Sequence, residues 1–193
     1  MLDWDFTGLS ADEARGFRQA IEVGDDLHWR FRERSTDFIV RNCAKLAEVD
    51  RLESYWLSTY LHTSHFEHIG FDNLKAVFDA CDRTKLQERS VPVSNGISTE
   101  RISLFRGCAG PVHTRGMSWT TSLDKAIYYA TWHKEWHLED GQPGEVAVYA
   151  STVCLSDVYC RLDHNEDEFL VVSENMWRIE VPAAEFRLDR RRH

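Results

Sequence analysis

Residues 166–172 read EDEFLVV, in which the carboxylates Glu166, Asp167 and Glu168 run directly into an apolar stretch typical of a buried strand. Side chains alternate between the two faces of a strand, so Glu166 and Glu168 are expected on one face and Asp167 on the other. Two neighbouring carboxylates repel each other and destabilise the fold unless a cation shares the site. The pattern therefore directs attention to a cationic partner elsewhere in the chain.

A candidate cationic residue lies in the stretch LFRG, residues 104–107. The guanidinium of Arg106 presents a fixed fork of donors that suits a phosphate or a sugar hydroxyl. Gly107 would let the main chain approach a ligand closely, because glycine has no side chain. An arginine at the end of a strand is solvated most of the time, so this motif gains weight only in combination with others.

Hydroxyl groups are concentrated in the stretch GMSWTTSLDKA, residues 116–126. Strand alternation would place Ser118, Thr120 and Ser122 on one face and Trp119 on the other. Ser122 also stands where a helix N-cap is expected, directly before LDKA. The stretch is therefore interpreted as a polar strand that leads into a helix.

An arginine, a Ser/Thr-rich strand and a Glu-x-Glu segment, in that order, make residues 101–190 resemble the R-S-E class of ADP-ribosyltransferases. The resemblance implies that Arg106, with Gly107 beside it, holds the phosphates and ribose of NAD. It also implies a Ser-Thr-Ser strand that orients the nicotinamide ribose. The residues that match this strand best are Thr120, Thr121 and Ser122. Ser118 offers a second register for the strand, because SWT fits as well.

Two positions depart from the family pattern. Thr120 replaces the first serine of the triplet, which keeps a hydroxyl group at that position. Phe169 follows the second glutamate, where an aliphatic residue is commoner. Each motif alone would be weak, so the interpretation depends on the order and spacing of the three.

The resemblance also gives the acidic pair a chemical role. Cleavage of the bond between nicotinamide and ribose builds positive charge on the sugar, as in glycoside cleavage. Glu168, the second glutamate of the motif, is expected to bind the ribose 2′-hydroxyl and to stabilise that charge. Glu166 is expected to act as base or orienting group for the incoming nucleophile. NAD is then the substrate, and no metal ion is expected.

The first half of the sequence predicts helices. Ser10 followed by Glu13 is a capping-box pattern, and the helix that begins there is expected to end at Gly24. The apolar periodicity stays helical from about residue 35 to about residue 90, with a break at Gly70.

The second half predicts strands. Short β-branched or aromatic stretches alternate with turn residues, and among them only residues 123–136 read as a helix. The elements predict an α+β fold, with a helical region at 1–95 and an NAD-binding, β-rich core at 96–193. The resemblance implies a split, mixed-strand core with the NAD cleft between two small sheets. No flexible linker separates the two parts, so the helical region is expected to pack on the core as one compact unit. It would cover the cleft, recognise the target or dock a partner.

Composition limits the classes of function. A formal net charge of −9 argues against broad binding to phosphate backbones. A protein acceptor, such as an arginine side chain, is therefore favoured over a nucleic acid. No apolar run reaches the length of a membrane span, and five cysteines without CxxC pairs favour reduced thiols in a cytoplasm. Family analogy adds a toxin or defence effector with a neutralising partner protein.

Three competing interpretations remain. Histidines stand at helical spacing in two groups, His62, His65 and His68, and then His133 and His137. They invite a zinc site, although HKEWH lacks the glutamate position of HExxH. The same fold could hydrolyse NAD with water as acceptor, and the presence of Glu166 favours transfer. A non-catalytic NAD-binding or interaction module is the alternative outside enzymes, against which the presence of all three motif elements argues.

Overall fold

The structure is a computed structural model that describes residues 2–63, 66, 68–91, 100–109, 115–139, 145–162 and 167–187; the side chains of 136–139 lie outside the description. The chain forms two compact units, residues 1–89 and 90–193. How the two units pack on each other stays a prediction. None of the helices in the described ranges combines the length and apolar character needed to cross a bilayer.

The first unit, as far as it is described, consists of six helices. They are α1 (Ala11–Val23), α2 (Leu27–Phe31), α3 (Glu33–Glu48), α4 (Leu52–His62), α5 (Phe71–Ala80) and α6 (Arg83–Glu88). The predicted capping box is confirmed, since the Ser10 side chain accepts from the Glu13 amide and the Glu13 side chain accepts from the Ser10 amide. Gly24 ends α1 in the left-handed conformation, as predicted. The predicted break at Gly70 is also confirmed, because α5 begins directly after it.

Stacked aromatic rings form the core of this helical unit. Phe17 stacks on Phe31 with ring centroids 3.8 Å apart, and on Phe38 at 4.5 Å. Trp56 of α4 packs edge-on against Phe78 of α5 at 5.6 Å. Full burial of each such ring contributes roughly 1.5–3 kcal/mol. The unit therefore derives its stability mainly from apolar packing between helices.

The second unit combines a six-stranded antiparallel sheet with one long helix in its described residues. The strands are β1 (Arg101–Ala109), β2 (Ser118–Thr120), β3 (Val146–Cys154), β4 (Cys160–Leu162), β5 (Glu168–Leu170) and β6 (Met176–Ile179), and helix α7 (Leu123–Glu139) follows β2. The spatial order is β4-β5-β2-β1-β3-β6, with every described pairing antiparallel. The fold is therefore α+β, as predicted. The expected mixture of strand directions is not found among the described strands.

The sheet consists of two three-stranded halves, β4-β5-β2 and β1-β3-β6. Within the second half, β1 and β3 pair along nine residues. The halves are joined by a single pair among the described residues, Phe105 opposite Thr120. This junction is the least extensively paired part of the sheet, and it lies beside Arg106.

The two faces of the sheet are covered differently. On one face α7 packs through Ala126 and Ala130 against Val148 of β3, with Phe105 at the edge of the cluster. On the other face a larger apolar cluster gathers side chains from four strands and the turns between them: Leu104, Trp119, Val153, Leu155, Val158, Phe169 and Val171. Apolar packing on both faces of the sheet therefore fixes the strands that carry the predicted site.

Candidate active site

Thr120 and Glu168 lie directly opposite each other where β2 pairs with β5. Opposed residues of an antiparallel pair have Cα atoms about 4.5–5.5 Å apart and side chains on the same face. Thr120 is buried and Glu168 is half-buried, so part of residue 168 stays open to solvent. Ser118, the alternative first hydroxyl, lies opposite Leu170. The pairing therefore brings Thr120, and not Ser118, beside the predicted catalytic glutamate.

All three hydroxyls of the triplet make hydrogen bonds within the sheet unit. The Thr120 Oγ1 accepts a hydrogen bond from the Ser122 amide at 3.2 Å, which stabilises the turn at the end of β2. The Ser122 Oγ accepts from the Lys125 amide at 3.2 Å, so the predicted N-cap of α7 is confirmed. Thr121 donates its hydroxyl to Asp167. The strand ends at Thr120, so the expected alternation does not reach Ser122.

Arg106 extends into the junction between the two halves of the sheet. Its Nη1 donates to the carbonyl oxygen of Ser118 at 2.8 Å. Its guanidinium lies against Gly116, where an added Cβ atom would come within 2.1 Å of Nη2. In an antiparallel ladder the rung after Phe105–Thr120 would use the main chain near Ser118. Arg106 therefore takes the place of a backbone rung at the start of β2.

Strand alternation places Arg106 and Glu168 on opposite faces of the sheet. Thr120 and Glu168 share the face of Phe105, which is the face of α7. Arg106 follows Phe105 and therefore points to the other face, beside Tyr149 of β3. The guanidinium reaches the β2 main chain at Ser118, about 7 Å along the strand from Thr120. A ligand that contacts both Arg106 and Glu168 must therefore reach both faces of the sheet at the junction of its two halves.

Gly107 has a structural task at the contact between β1 and α7. A Cβ atom at this position would lie 1.8 Å from the carbonyl oxygen of Ala126 and 2.6 Å from the amide nitrogen of Ala130. Both atoms belong to the main chain of α7, which cannot move aside as a flexible side chain can. Glycine is therefore required for the close packing of helix on strand. Its expected role in admitting NAD stays a prediction.

The acidic segment does not form a continuous strand. The strand β5 begins at Glu168, and Asp167 before it adopts the left-handed conformation with φ 52°. Strand alternation does not apply to Asp167, because that rule holds only for extended residues. Glu166 lies outside the described residues.

Asp167 pairs with an arginine of the neighbouring strand β4. The Arg161 Nε donates to its Oδ1 at 2.8 Å, and the Arg161 Nη2 lies 2.5 Å from the same oxygen. Thr121 donates to the other oxygen. Burial raises the pKa of Asp167, but the hydrogen bonds from Thr121 and Arg161 outweigh burial and lower the pKa. Asp167 is therefore a stable carboxylate at neutral pH.

Arg161 was not among the predicted site residues, and no task was predicted for Asp167. The available signal was an arginine in the stretch that precedes the acidic turn. Consecutive antiparallel strands bring such residues together, and Arg161 of β4 lies opposite Phe169 of β5. Its guanidinium carbon lies 5.4 Å from the centroid of the Phe169 ring, which adds a cation–π contact.

Two buried thiols lie near the charged residues. Burial raises the pKa of Cys108, and the neighbouring guanidinium of Arg106 opposes that effect. Burial and the carboxylate of Glu168 raise the pKa of Cys160 to about 12. A thiol with a raised pKa is protonated at neutral pH and is a weak nucleophile. Neither cysteine is therefore a candidate for covalent catalysis.

The histidine groups are described only in part. His62 stacks on His28 with ring centroids 5.0 Å apart, and burial followed by the charge of His62 lowers the pKa of His28. His65 and the side chain of His137 lie outside the described residues. Within the described part of the chain, no group of three or more histidine, cysteine, aspartate or glutamate residues is placed to hold a metal ion.

Comparisons with protein-family models, with curated proteins and with solved structures found no match to this chain. The functional argument therefore depends on the motifs and on the geometry of their residues.

Proposed function

We propose that the chain is a mono-ADP-ribosyltransferase, which cleaves NAD and transfers ADP-ribose to a macromolecular acceptor. The observation that carries the proposal is the pairing of Thr120 with Glu168, with Arg106 bound to the start of the same short strand. Three motif elements that are distant in sequence thus converge on β2. An arginine, a hydroxyl and a carboxylate in one region favour a ligand that combines phosphate and sugar.

Arg106 binds the pyrophosphate of NAD in this proposal. A guanidinium has five N–H donors, so a bond to the Ser118 carbonyl is compatible with binding of a phosphate oxygen. The guanidinium is held half-buried against Gly116, which restricts its position before NAD binds. A charged donor held in place loses little further freedom on binding.

Glu168 stabilises the positive charge that develops on the ribose in the transition state. The bond between nicotinamide and the sugar breaks, its electron pair leaves with the neutral nicotinamide, and the ribose carbon becomes electron-deficient. A partly buried carboxylate interacts with such a charge more strongly than one in bulk water. Thr120, opposite Glu168, orients the ribose and the carboxylate.

The proposed NAD cleft is the junction between the two halves of the sheet. The resemblance to R-S-E enzymes implies a cleft between two small sheets, and two three-stranded halves joined by one pair fit that expectation. Arg106 and Glu168 emerge on different faces of the sheet, so the proposal requires a dinucleotide that reaches from one face to the other beside the Phe105–Thr120 pair. A β core divided by an NAD cleft is therefore part of the proposal.

Transfer completes the proposed reaction. The nucleophile of the acceptor attacks the ribose carbon and loses a proton, which Glu166 accepts as general base. A protein acceptor is favoured because the net charge of −9 opposes broad binding to nucleic acid. In this proposal the helical unit recognises the acceptor or binds a neutralising protein, in keeping with a cytoplasmic toxin or defence effector.

The experiment that tests the proposal combines two measurements on one reaction. The protein is incubated with a cell lysate and NAD that carries a label on its adenosine moiety, and nicotinamide release is measured in parallel. Protease and nuclease are then applied separately to the labelled macromolecular product. We expect label incorporation together with nicotinamide release, and we expect protease to remove the label.

The other outcomes separate the alternatives. Sensitivity of the label to nuclease would identify a nucleic-acid acceptor. Nicotinamide release without incorporation would identify an NAD hydrolase. NAD binding with neither activity would identify a binding module and contradict the proposal.

A further inference from the structure

Asp167 has an unfavourable backbone conformation directly before Glu168. Its φ of 52° lies in the left-handed region, which residues with a side chain seldom occupy. Aspartate tolerates this region better than most residues, but such conformations persist only where the surroundings hold them. The contacts of Asp167 therefore decide where β5 begins.

Those contacts come from two other segments of the sheet unit. Arg161 belongs to β4, and both its Nε and its Nη2 lie within hydrogen-bonding distance of one Asp167 oxygen. Thr121 directly follows β2 and donates to the other oxygen. The carboxylate thus links both strands that flank β5.

These bonds extend the sheet at the point where its backbone pairing stops. The last pair of β2 with β5 is Thr120 with Glu168, and both strands have only three residues. Terminal pairs of short strands open readily because few bonds hold them. The bond between Thr121 and Asp167 takes the place of the next rung and opposes that opening.

We infer that Asp167, Arg161 and Thr121 form a clamp, named here the Asp167 clamp, that positions Glu168 opposite Thr120. The catalytic consequence of the clamp rests on the function proposed above. The three are positioning residues, since they act on the substrate only through Glu168.

The Asp167 clamp also separates the tasks of two adjacent carboxylates. Arg161 lies on the face of Phe169, whereas Glu168 lies on the face of Thr120. Arg161 is therefore directed to Asp167, on the face opposite that of Glu168.

The clamp is tested with Asp167→Asn, Arg161→Gln and the double variant. Asparagine also tolerates the left-handed region, so Asp167→Asn removes the charge without adding backbone strain. We expect kcat for nicotinamide release to fall about 10–100-fold in each single variant, because a small misplacement of a catalytic group has an effect of this size. The KM for NAD should change less than about threefold, since Arg106 carries the binding. The loss of kcat in the double variant should be no larger than that in the worse single variant, because the two residues act as one unit.

A second readout does not require activity. Hydrogen exchange of the β5 amides, Glu168–Leu170, should accelerate about tenfold in Asp167→Asn, because opening of the strand end becomes easier. The matched control is Asp50→Asn, in the helical unit. Asp50 also has a left-handed φ, 57°, and pairs with Lys85 at 2.6 Å. The control should leave both kcat and β5 exchange unchanged.

The outcomes distinguish the clamp from the proposed function. If the wild type releases no nicotinamide, the function fails, and accelerated exchange confined to β5 would still support the clamp. Unchanged β5 exchange in Asp167→Asn would overturn the clamp, as would a kcat equal to that of Asp50→Asn in an active enzyme. If the first variants do not fold, Thr121→Val removes one bond from an exposed side chain and is judged by the same two readouts against Thr121→Ser.

Discussion

The helical unit and the sheet unit differ in where they place their polar side chains. In the helical unit, ion pairs such as Lys75–Asp79 are exposed, and the stacked aromatic rings of the core enclose single polar side chains such as Glu53, which accepts from the Asp82 amide. In the sheet unit, Arg106, Thr120 and Glu168 gather at the junction of the two halves. Exposed ion pairs contribute little to stability, so the helical unit depends on its apolar core. In the sheet unit, by contrast, these polar residues form the candidate site.

Asp50 of the helical unit and Asp167 of the sheet unit show this difference within one residue type. Asp50 and Asp167 both have a left-handed φ and both pair with a cation. The side chain of Asp50 is 71% exposed in the turn between α3 and α4, whereas that of Asp167 is 28% exposed at the start of β5. The same local geometry is thus a solvated turn in one unit and part of the candidate site in the other. Exposure and neighbours, not conformation, separate the two.

The largest expected effect is on catalysis, in Glu168→Gln. The substitution keeps the shape of the side chain but removes the negative charge that stabilises the ribose cation. The rate of nicotinamide release should therefore fall about 10²–10³-fold. The matched control is Glu174→Gln, an exposed glutamate of the same unit. Steady-state assays of nicotinamide release measure both. Equal rates in the two variants would remove Glu168 from the site.

A large effect on stability is expected at Gly107, where a side chain has no room. Gly107→Ala forces a Cβ atom into the main chain of α7, and we expect a loss of about 3 kcal/mol in the free energy of unfolding. Gly24→Ala in the helical unit meets only the flexible guanidinium of Arg51, at 3.2 Å, and suffers mainly the strain of its left-handed conformation, about 1 kcal/mol. Denaturant unfolding compares the two. Equal losses would show that packing of α7 on β1 is looser than described.

Arg106→Lys should weaken NAD binding about tenfold. Lysine keeps the charge but loses the forked donors, a change of ~1.4 kcal/mol that matches the loss of one charged hydrogen bond. Arg178→Lys is the control, because Arg178 also neighbours Tyr149 on the same face but pairs with Glu145 at the surface. Calorimetric titration with NAD gives both affinities. Similar affinities would place the phosphates away from Arg106.

The smallest expected effect is the pH dependence of the Asp167 clamp. The folded pKa of Asp167 lies below its unfolded value of about 3.9, so the stabilisation is complete above that value and is lost as the pH falls through the folded pKa. The free energy of unfolding of the wild type should exceed that of Asp167→Asn by about 1 kcal/mol at neutral pH, and the difference should shrink below about pH 4. Urea unfolding over this pH range measures it. A difference that grows on acidification would contradict the lowered pKa.

Local rules were sufficient for much of the fold. The capping box at Ser10, the helix end at Gly24 and the N-cap at Ser122 depend on residues within one turn, so the sequence determined them. The alternation of helical and strand-like stretches likewise predicted the order of the elements. The change from a helical to a β-rich half also followed from residue type alone.

Only the tertiary structure decided how the motif residues meet. Pairing of β2 with β5 places Thr120, and not Ser118, opposite Glu168, and it depends on residues nearly fifty positions away in the chain. The partner of Asp167 comes from β4, which no local rule identifies. Gly107 is required by the approach of α7, although by sequence it was assigned to a ligand. Backbone preference acts over a few residues, whereas register, face and exposure are properties of strands brought together by folding, and these determine the geometry of the site.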